Sequence, residues 1–208
     1  MTLRLNGATS GYTEIDAPAV AGSNTLVLPG GNGSDGNILG TDGAGNLSWV
    51  NGRMVLATAQ NSTSGTSIDF TGIPSWVKRV TVMFDGVSTN GTSDIIIQLG
   101  TGATPTYTTS GYLGSASTQS GTTANFTTGL RVVNSNAGAN LWHGNILICN
   151  FTGNTWSESA VLGNSNAAGT RVSAGSIPLA ATLTAVRITT TGGTNTFDAG
   201  SINILYEG

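Results

Sequence analysis

The amino-acid sequence predicts an all-β protein, a jelly-roll-like β-sandwich preceded by an extended Gly/Asn-rich segment. Three observations predict it. From residue 53 onward, short runs of alternating apolar residues recur at regular spacing between clusters of Gly, Pro, Ser, Thr and Asn, the pattern of strands joined by turns. No window places apolar residues at i, i+3, i+4 and i+7 among good helix formers. Charged residues make up 8% of the chain where about a quarter is usual, and 31 glycines accompany abundant Ser, Thr and Asn, so the predicted surface is polar but almost uncharged.

The character of the chain changes near Trp49. Before it, residues 25–28 form one apolar strand, followed by the turn-rich stretch GGNGSDGNILGTDGAGNLSWV, whose glycines and asparagines suit successive tight turns. Ile15, Val20, Leu26, Leu28, Ile38, Leu39, Leu47 and Trp49 are too sparse to build a core of their own. Residues 1–52 are therefore expected to be an attachment or shaft segment that packs against copies of itself, three chains winding about a common axis. Residues 53–208 are expected to form the sandwich. Its predicted strands are 54–59, 67–70, 77–84, 94–99, 107–113, 125–133, 141–151, 157–162, 169–174, 183–190 and 201–206.

Alternation assigns the faces within these strands. Val80, Val82 and Phe84 fall on one side, Arg79, Thr81 and Met83 on the other, and Ile202, Ile204 and Tyr206 repeat the pattern in the last strand. Val80, Val82, Phe84, Ile95, Ile97 and Leu99 are the predicted core. The unbroken apolar run in residues 146–151 predicts a strand covered on both faces. Two facing sheets accommodate about ten such strands, and with few charges to guard the sheet edges, contacts within a trimer are expected to cover some of them.

Composition excludes several functions. A net charge of −3 and a single lysine, Lys78, lack the basic clusters that phosphate backbones demand, so no nucleic-acid partner is expected. No apolar stretch reaches the 18 or so residues of a membrane span, and the N-terminus has no signal-peptide core, so no membrane partner is expected. Cys149 is alone and is read as a buried structural thiol. The sequons at Asn61, Asn90, Asn125 and Asn150 are read as chance products of an Asn/Thr-rich composition.

His143 is the one histidine, no G-x-S-x-G elbow accompanies it, and it is expected to face solvent or cap a strand end. The ten acids are scattered through turns, not paired for glycoside cleavage. Residues 30–35, GGNGSD, open like a calcium nonapeptide repeat, but Asn37 replaces the required apolar residue and no second copy follows. No catalytic residue, cofactor or metal is therefore expected. Aromatic rings among neutral hydrogen-bonding groups are the sequence's best sugar-binding feature. Tyr107, Tyr112, Trp142, His143 and Trp156 are the candidates for contact with a receptor.

Residues 64–100 (SGTSIDFTGIPSWVKRVTVMFDGVSTNGTSDIIIQLG), 109–114 (TSGYLG) and 197–207 (FDAGSINILYE) resemble a module found near the C-termini of bacteriophage tail fibres. The stretch YTEIDAPAVAGSNTLVLPGGNGSDGNILGTDGAGNLSW is similar to linker-shaft segments of virion proteins from cyanobacterial and marine phages. The resemblance implies a homotrimeric, non-enzymatic virion appendage, made in the host cytoplasm. Its N-terminal segment would join other tail or baseplate proteins and its distal β-domain would meet a host-surface glycan or protein. A trimeric capsid decoration protein is the alternative, and a cellular carbohydrate-binding module is a third reading.

Overall fold

The computed structural model describes residues 3–20, 22–34, 36–52 and 54–208. Asp35, the acid of the calcium-like motif, and Arg53, the first residue of the expected sandwich, lie outside them. Every regular element described is a strand. The chain divides into two compact units, Met1–Gly52 and Arg53–Gly208.

The first unit holds two small hairpins. β1 (Leu3–Asn6) pairs with β2 (Tyr12–Ile15), and β3 (Asn37–Thr41) pairs with β4 (Leu47–Asn51), both antiparallel. The expected strand at residues 25–28 is reduced to an isolated parallel bridge from Val27 to Asn46, and the stretch expected to make successive tight turns also supplies β3 and β4. No described residue of this unit is buried. Val20 is 93% exposed and Leu28 71%.

The second unit contains β5 (Met54–Leu56), β6 (Gln60–Asn61), β7 (Ser67–Thr71), β8 (Arg79–Thr89), β9 (Ile95–Thr101), β10 (Thr106–Tyr107), β11 (Leu113–Thr118), β12 (Thr123–Phe126), β13 (Leu130–Arg131), β14 (Trp142–Thr152), β15 (Thr155–Asn164), β16 (Gly169–Pro178), β17 (Leu183–Thr190) and β18 (Phe197–Glu207). One sheet runs β10-β9-β17-β7 with β13 also on β9. The larger runs β12-β11-β16-β15-β14-β8-β18-β5 with β6 also on β18. Inward residues of both sheets meet in one hydrophobic core. Ile68, Ile95, Ile97, Leu99, Val186 and Ile188 come from the smaller sheet, and Val80, Val82, Phe84, Ile146, Ile148 and Ile202 from the larger. The expected core residues Val80, Val82, Phe84, Ile95, Ile97 and Leu99 are all buried.

Three expectations are corrected. The runs at 107–113 and 125–133 each divide between the sheets, β10 and β13 on the smaller, β11 and β12 on the larger, because the intervening residues turn and cross the core. The strand at 146–151 is covered on one face alone. Ile146 and Ile148 point inward, while Phe151 is 76% exposed. Cys149 alternates with them and lies half-buried on the outer face, not in the core.

Strand register gives this unit two distinct ends. At one, Met54 pairs with Glu207, Glu207 with Arg79 and Arg79 with Cys149, so the chain enters and leaves the fold there. At the other, Thr89 pairs with Phe197, Trp142 with Asn164 and Asn164 with Gly169. The turns 62–66, 90–93, 119–122, 132–141, 165–168 and 191–196 gather at that second end, and none of their residues is charged.

Candidate functional site

The uncharged loop end is held by side chains that act as backbone partners. Asn195 Oδ1 accepts the Ser93 N–H at 3.0 Å and Asn90 Oδ1 accepts the Thr196 N–H at 3.0 Å, tying two turns together. A Cβ at Gly91 would overlap the Asn195 amide and push it from its place beside Ser93. The long 132–141 loop closes over a buried network. Trp142 Nε1–H donates to Asn136 Oδ1 at 3.0 Å, Asn136 Nδ2 donates to Thr89 Oγ1 at 3.0 Å, and the Asn136 N–H reaches Asp94 Oδ1 at 3.1 Å. Ser135 and Ala139 adopt positive φ of 55° and 62° to make this path, a strained conformation that the network holds in place. The Arg171 guanidinium lies over the Trp142 ring at 4.8 Å and donates to the carbonyls of Asn134, Ser135 and Thr170. Burial lowers its pKa, an effect the more distant Asp94 opposes.

The five receptor-contact candidates do not come together. Trp142 is fully buried under Arg171 and the 132–141 loop, and Trp156 is 4% exposed on the core face of β15. Tyr112 is also fully buried. Its Oη accepts the Leu99 N–H at 2.8 Å and donates to Thr108 O at 3.0 Å, and burial pushes its pKa up to about 12. These three rings are core: Trp142 opens β14, Trp156 is the second residue of β15 and Tyr112 directly precedes β11, and each packs into the cluster between the two sheets. Tyr112→Phe should cost about 1–2 kcal/mol in urea melts, because the Leu99 N–H loses its acceptor inside the core. A shift below about 0.5 kcal/mol would show the bond to be replaceable.

Tyr107 and His143 keep exposed surface. Tyr107 carries the Arg187 guanidinium over its ring at 3.9 Å, and burial, then the Asp69 carboxylate, push its pKa up to about 12. Arg187 is bound to Asp69 by two parallel hydrogen bonds of 2.8 and 2.6 Å, Nε to Oδ1 and Nη2 to Oδ2. This neutralised pair borders a cleft of about 380 Å³ on the outer side of the smaller sheet, with Ser67, Gln98, Thr109 and Thr128 among its walls.

His143 stands between Asp85 and Ser165 in an order that invites comparison with a hydrolytic triad. Asp85 Oδ1 is 3.2 Å from Nδ1, and Nε2 is 3.0 Å from Ser165 Oγ. The comparison fails on hydrogen-bond logic. The Gly86 N–H points at Nδ1 from 3.1 Å, and since it can only donate, Nδ1 is an acceptor and the ring proton sits on Nε2, directed at Ser165. That tautomer cannot take the serine proton, whereas a triad needs Nδ1–H held by the carboxylate. The Asp85 side chain is 86% exposed, too solvated to reverse the preference. The N–H groups of Ser165, Asn166 and Ala167 are all bonded within the chain, leaving none beside the serine to stabilise an oxyanion. The arrangement fastens the 165–168 turn to β14 and β8.

Glu158 is the one buried carboxyl among the described residues. It is 5% exposed, faces the core from β15, and receives the Ser173 hydroxyl at 2.7 Å on Oε1, while Oε2 has no partner among the described residues. Burial pushes its pKa up to about 7, the Ser173 hydrogen bond opposing. Asn136, Arg171 and Glu158 carried no signal in the sequence, because each owes its surroundings to strands distant along the chain. No three of His, Cys, Asp and Glu among the described residues group closely enough to hold a metal ion. The chain matches no protein-family model, no curated protein and no solved structure.

Proposed function

We propose that the chain is a structural protein of a bacteriophage virion, a short trimeric tail fibre or adhesin that recognises a host surface without catalysis. The observation that carries the reading is that residues 1–52 bury none of their described residues while holding Leu3, Leu5, Ile15, Val20, Leu28 and Ile38. Hairpins of four and five residues are not stable alone in water, so the unit needs a partner, and identical chains winding together supply one. In this reading residues 1–52 form the shaft that joins tail or baseplate proteins, and residues 53–208 form a jelly-roll-like sandwich. Its loop end, whose turns carry no charged residue, lies opposite the point where the chain enters and is turned to the host glycan or protein. Exposed Leu56, Leu113, Val161 and Val172 on the larger sheet offer further surface for contacts between copies. Weak contacts at each copy would then add through avidity.

Two expected results test it. Light scattering on the full chain gives three times the monomer mass, and the chain lacking residues 1–52 gives a β-rich circular dichroism spectrum and a cooperative melt at monomer mass. A full chain that is monomeric at micromolar concentration overturns the intertwined shaft. Labelled protein located by electron microscopy sits on the tail, and density over the capsid faces overturns the reading in favour of a decoration protein.

A further inference from the structure

Among the described residues, four arginines have a carboxylate partner: Arg4 with Glu14, Arg79 with Glu207, Arg131 with Asp94 and Arg187 with Asp69. Arg171 has none. Its positive charge is balanced by three backbone carbonyls and the face of Trp142, which accept hydrogen bonds and polarise toward it but carry no net charge. A guanidinium has five N–H donors, so two remain. The side chain borders a concavity of about 510 Å³ whose other walls are Gln119, Ser120, Ala168 and Gly169. This hollow lies at the loop end, between the turns 119–122 and 165–168.

The hollow is built for Arg171. The Gln119 N–H donates to Thr170 O at 3.2 Å, fixing one turn to β16, and the Ser165 N–H donates to Leu141 O at 3.0 Å, fixing the other. A Cβ at Gly169 would press on Arg171 Nη1 at 3.3 Å, so glycine leaves that edge of the guanidinium clear. The cleft beside Arg187 lacks this property, because Asp69 already neutralises its cation.

We infer that Arg171 and the two flanking turns form a binding site for an anionic saccharide, one bearing a carboxylate or a phosphate. Charge selects the anion, since the site offers a cation with no carboxylate bonded to it, two N–H donors to spare and no acid among its walls. Shape and polarity select the saccharide. The volume is that of a small-ligand pocket and exceeds what a bare carboxylate or phosphate fills, and the Gln119 amide and Ser120 hydroxyl can each both donate to and accept from sugar hydroxyls. Ala168 supplies the single apolar side chain, too little for a lipid or an apolar peptide. The link from this site to host recognition rests on the function proposed above. The site itself does not.

The test is titration of the purified full chain, followed by amide chemical shifts, with sodium glucuronate, glucose 6-phosphate, glucose, sodium acetate and inorganic phosphate. Glucuronate or glucose 6-phosphate should saturate in the millimolar range and move the amides of Gln119, Ser120 and Gly169, and whichever does so distinguishes carboxylate from phosphate. Glucose should bind at least about tenfold more weakly, as expected for loss of one charge-assisted pair. Arg171→Gln should weaken the anionic sugar by a similar factor. Because that change can loosen the 132–141 loop, Ala168→Trp provides the second variant: it fills the hollow, leaves the three Arg171 hydrogen bonds in place, and should abolish binding with an unchanged melting temperature. Equal binding of glucose and glucuronate overturns the inference, as does equal binding of acetate and glucuronate, or no saturation by any probe. Because binding is read on the isolated chain, its failure leaves the trimer and virion results standing, and theirs leaves it.

Discussion

Glu158→Gln raises the unfolding free energy by about 3 kcal/mol at pH 8 and leaves it unchanged at pH 4. Glu158 faces the core of β15 beside Trp156 and Ala160, and Ser173 Oγ–H satisfies one oxygen while the other has no partner. Removing a carboxylate from water without a counter-charge favours its neutral form, and the pKa rises from 4.5 to about 7. The sign follows from proton counting. Below pH 4.5 folded and unfolded chains are both protonated here and the group costs nothing. Between pH 4.5 and 7 the unfolded chain ionises while the folded chain keeps its proton, so stability falls as pH rises. Above pH 7 the folded carboxyl ionises too and the loss is complete. A shift of that size corresponds to about 3 kcal/mol at roughly 1.4 kcal/mol per unit. Glutamine keeps the shape and the acceptor for Ser173 without the charge, so it resembles the protonated acid. Urea melts at pH 4, 6 and 8 should show a difference between variant and parent that grows with pH. A difference independent of pH would mean that the carboxylate is solvated.

Trp142→Ala is expected to cost about 3–5 kcal/mol at any of these pH values. The ring is fully buried, so truncation leaves a cavity and strands Asn136 Oδ1, the acceptor of Nε1–H. The loss spreads because Asn136 also holds Thr89 and Asp94, and Arg171 loses the surface beneath it. Asn136→Ala should reproduce about 1–3 kcal/mol of this by leaving the buried indole N–H unpaired and the Thr89 hydroxyl with its bond to Gly91 O alone. Tyr107→Ala, by contrast, removes a half-exposed ring from an edge strand and should change stability by less than about 1 kcal/mol. Denaturant midpoints with an unchanged m value make the comparison clean. If Trp142→Ala costs no more than Tyr107→Ala, the indole is not part of the core.

These two residues mark the border of what sequence reading reached. Tyr112 sits in a Gly/Ser/Thr-rich run that suggests an exposed loop, Trp142 stands at the start of a predicted strand, and both were expected to meet a receptor as rings among neutral hydrogen-bonding groups. Both are instead covered by segments far along the chain: Trp142 by Arg171 and Asn136, Tyr112 by β9 through Leu99. The exposed face of β14 was missed for a related reason. An apolar run such as residues 146–151 looks the same whether one face is covered or two, and only the layers around it decide. In the first unit, β3 and β4 were hidden because a Gly/Asn-rich stretch carries a strong turn signal, while hairpin pairing depends on backbone hydrogen bonds that any composition can make.

By itself the sequence determined that this is a β protein, where most strands of the second unit lie, and which face of β8 and β9 is core. Those properties follow from a period of two along the chain, and the period is local: Val80, Val82 and Phe84 must share a face whatever they meet. The tertiary structure alone decided which aromatics are covered, that Glu158 lies in the core with a single partner among the described residues, and that Arg171 is the described arginine left without a paired acid. Each depends on strands distant in sequence being set in register about 4.8 Å apart, which fixes the neighbours that determine burial, partner and charge.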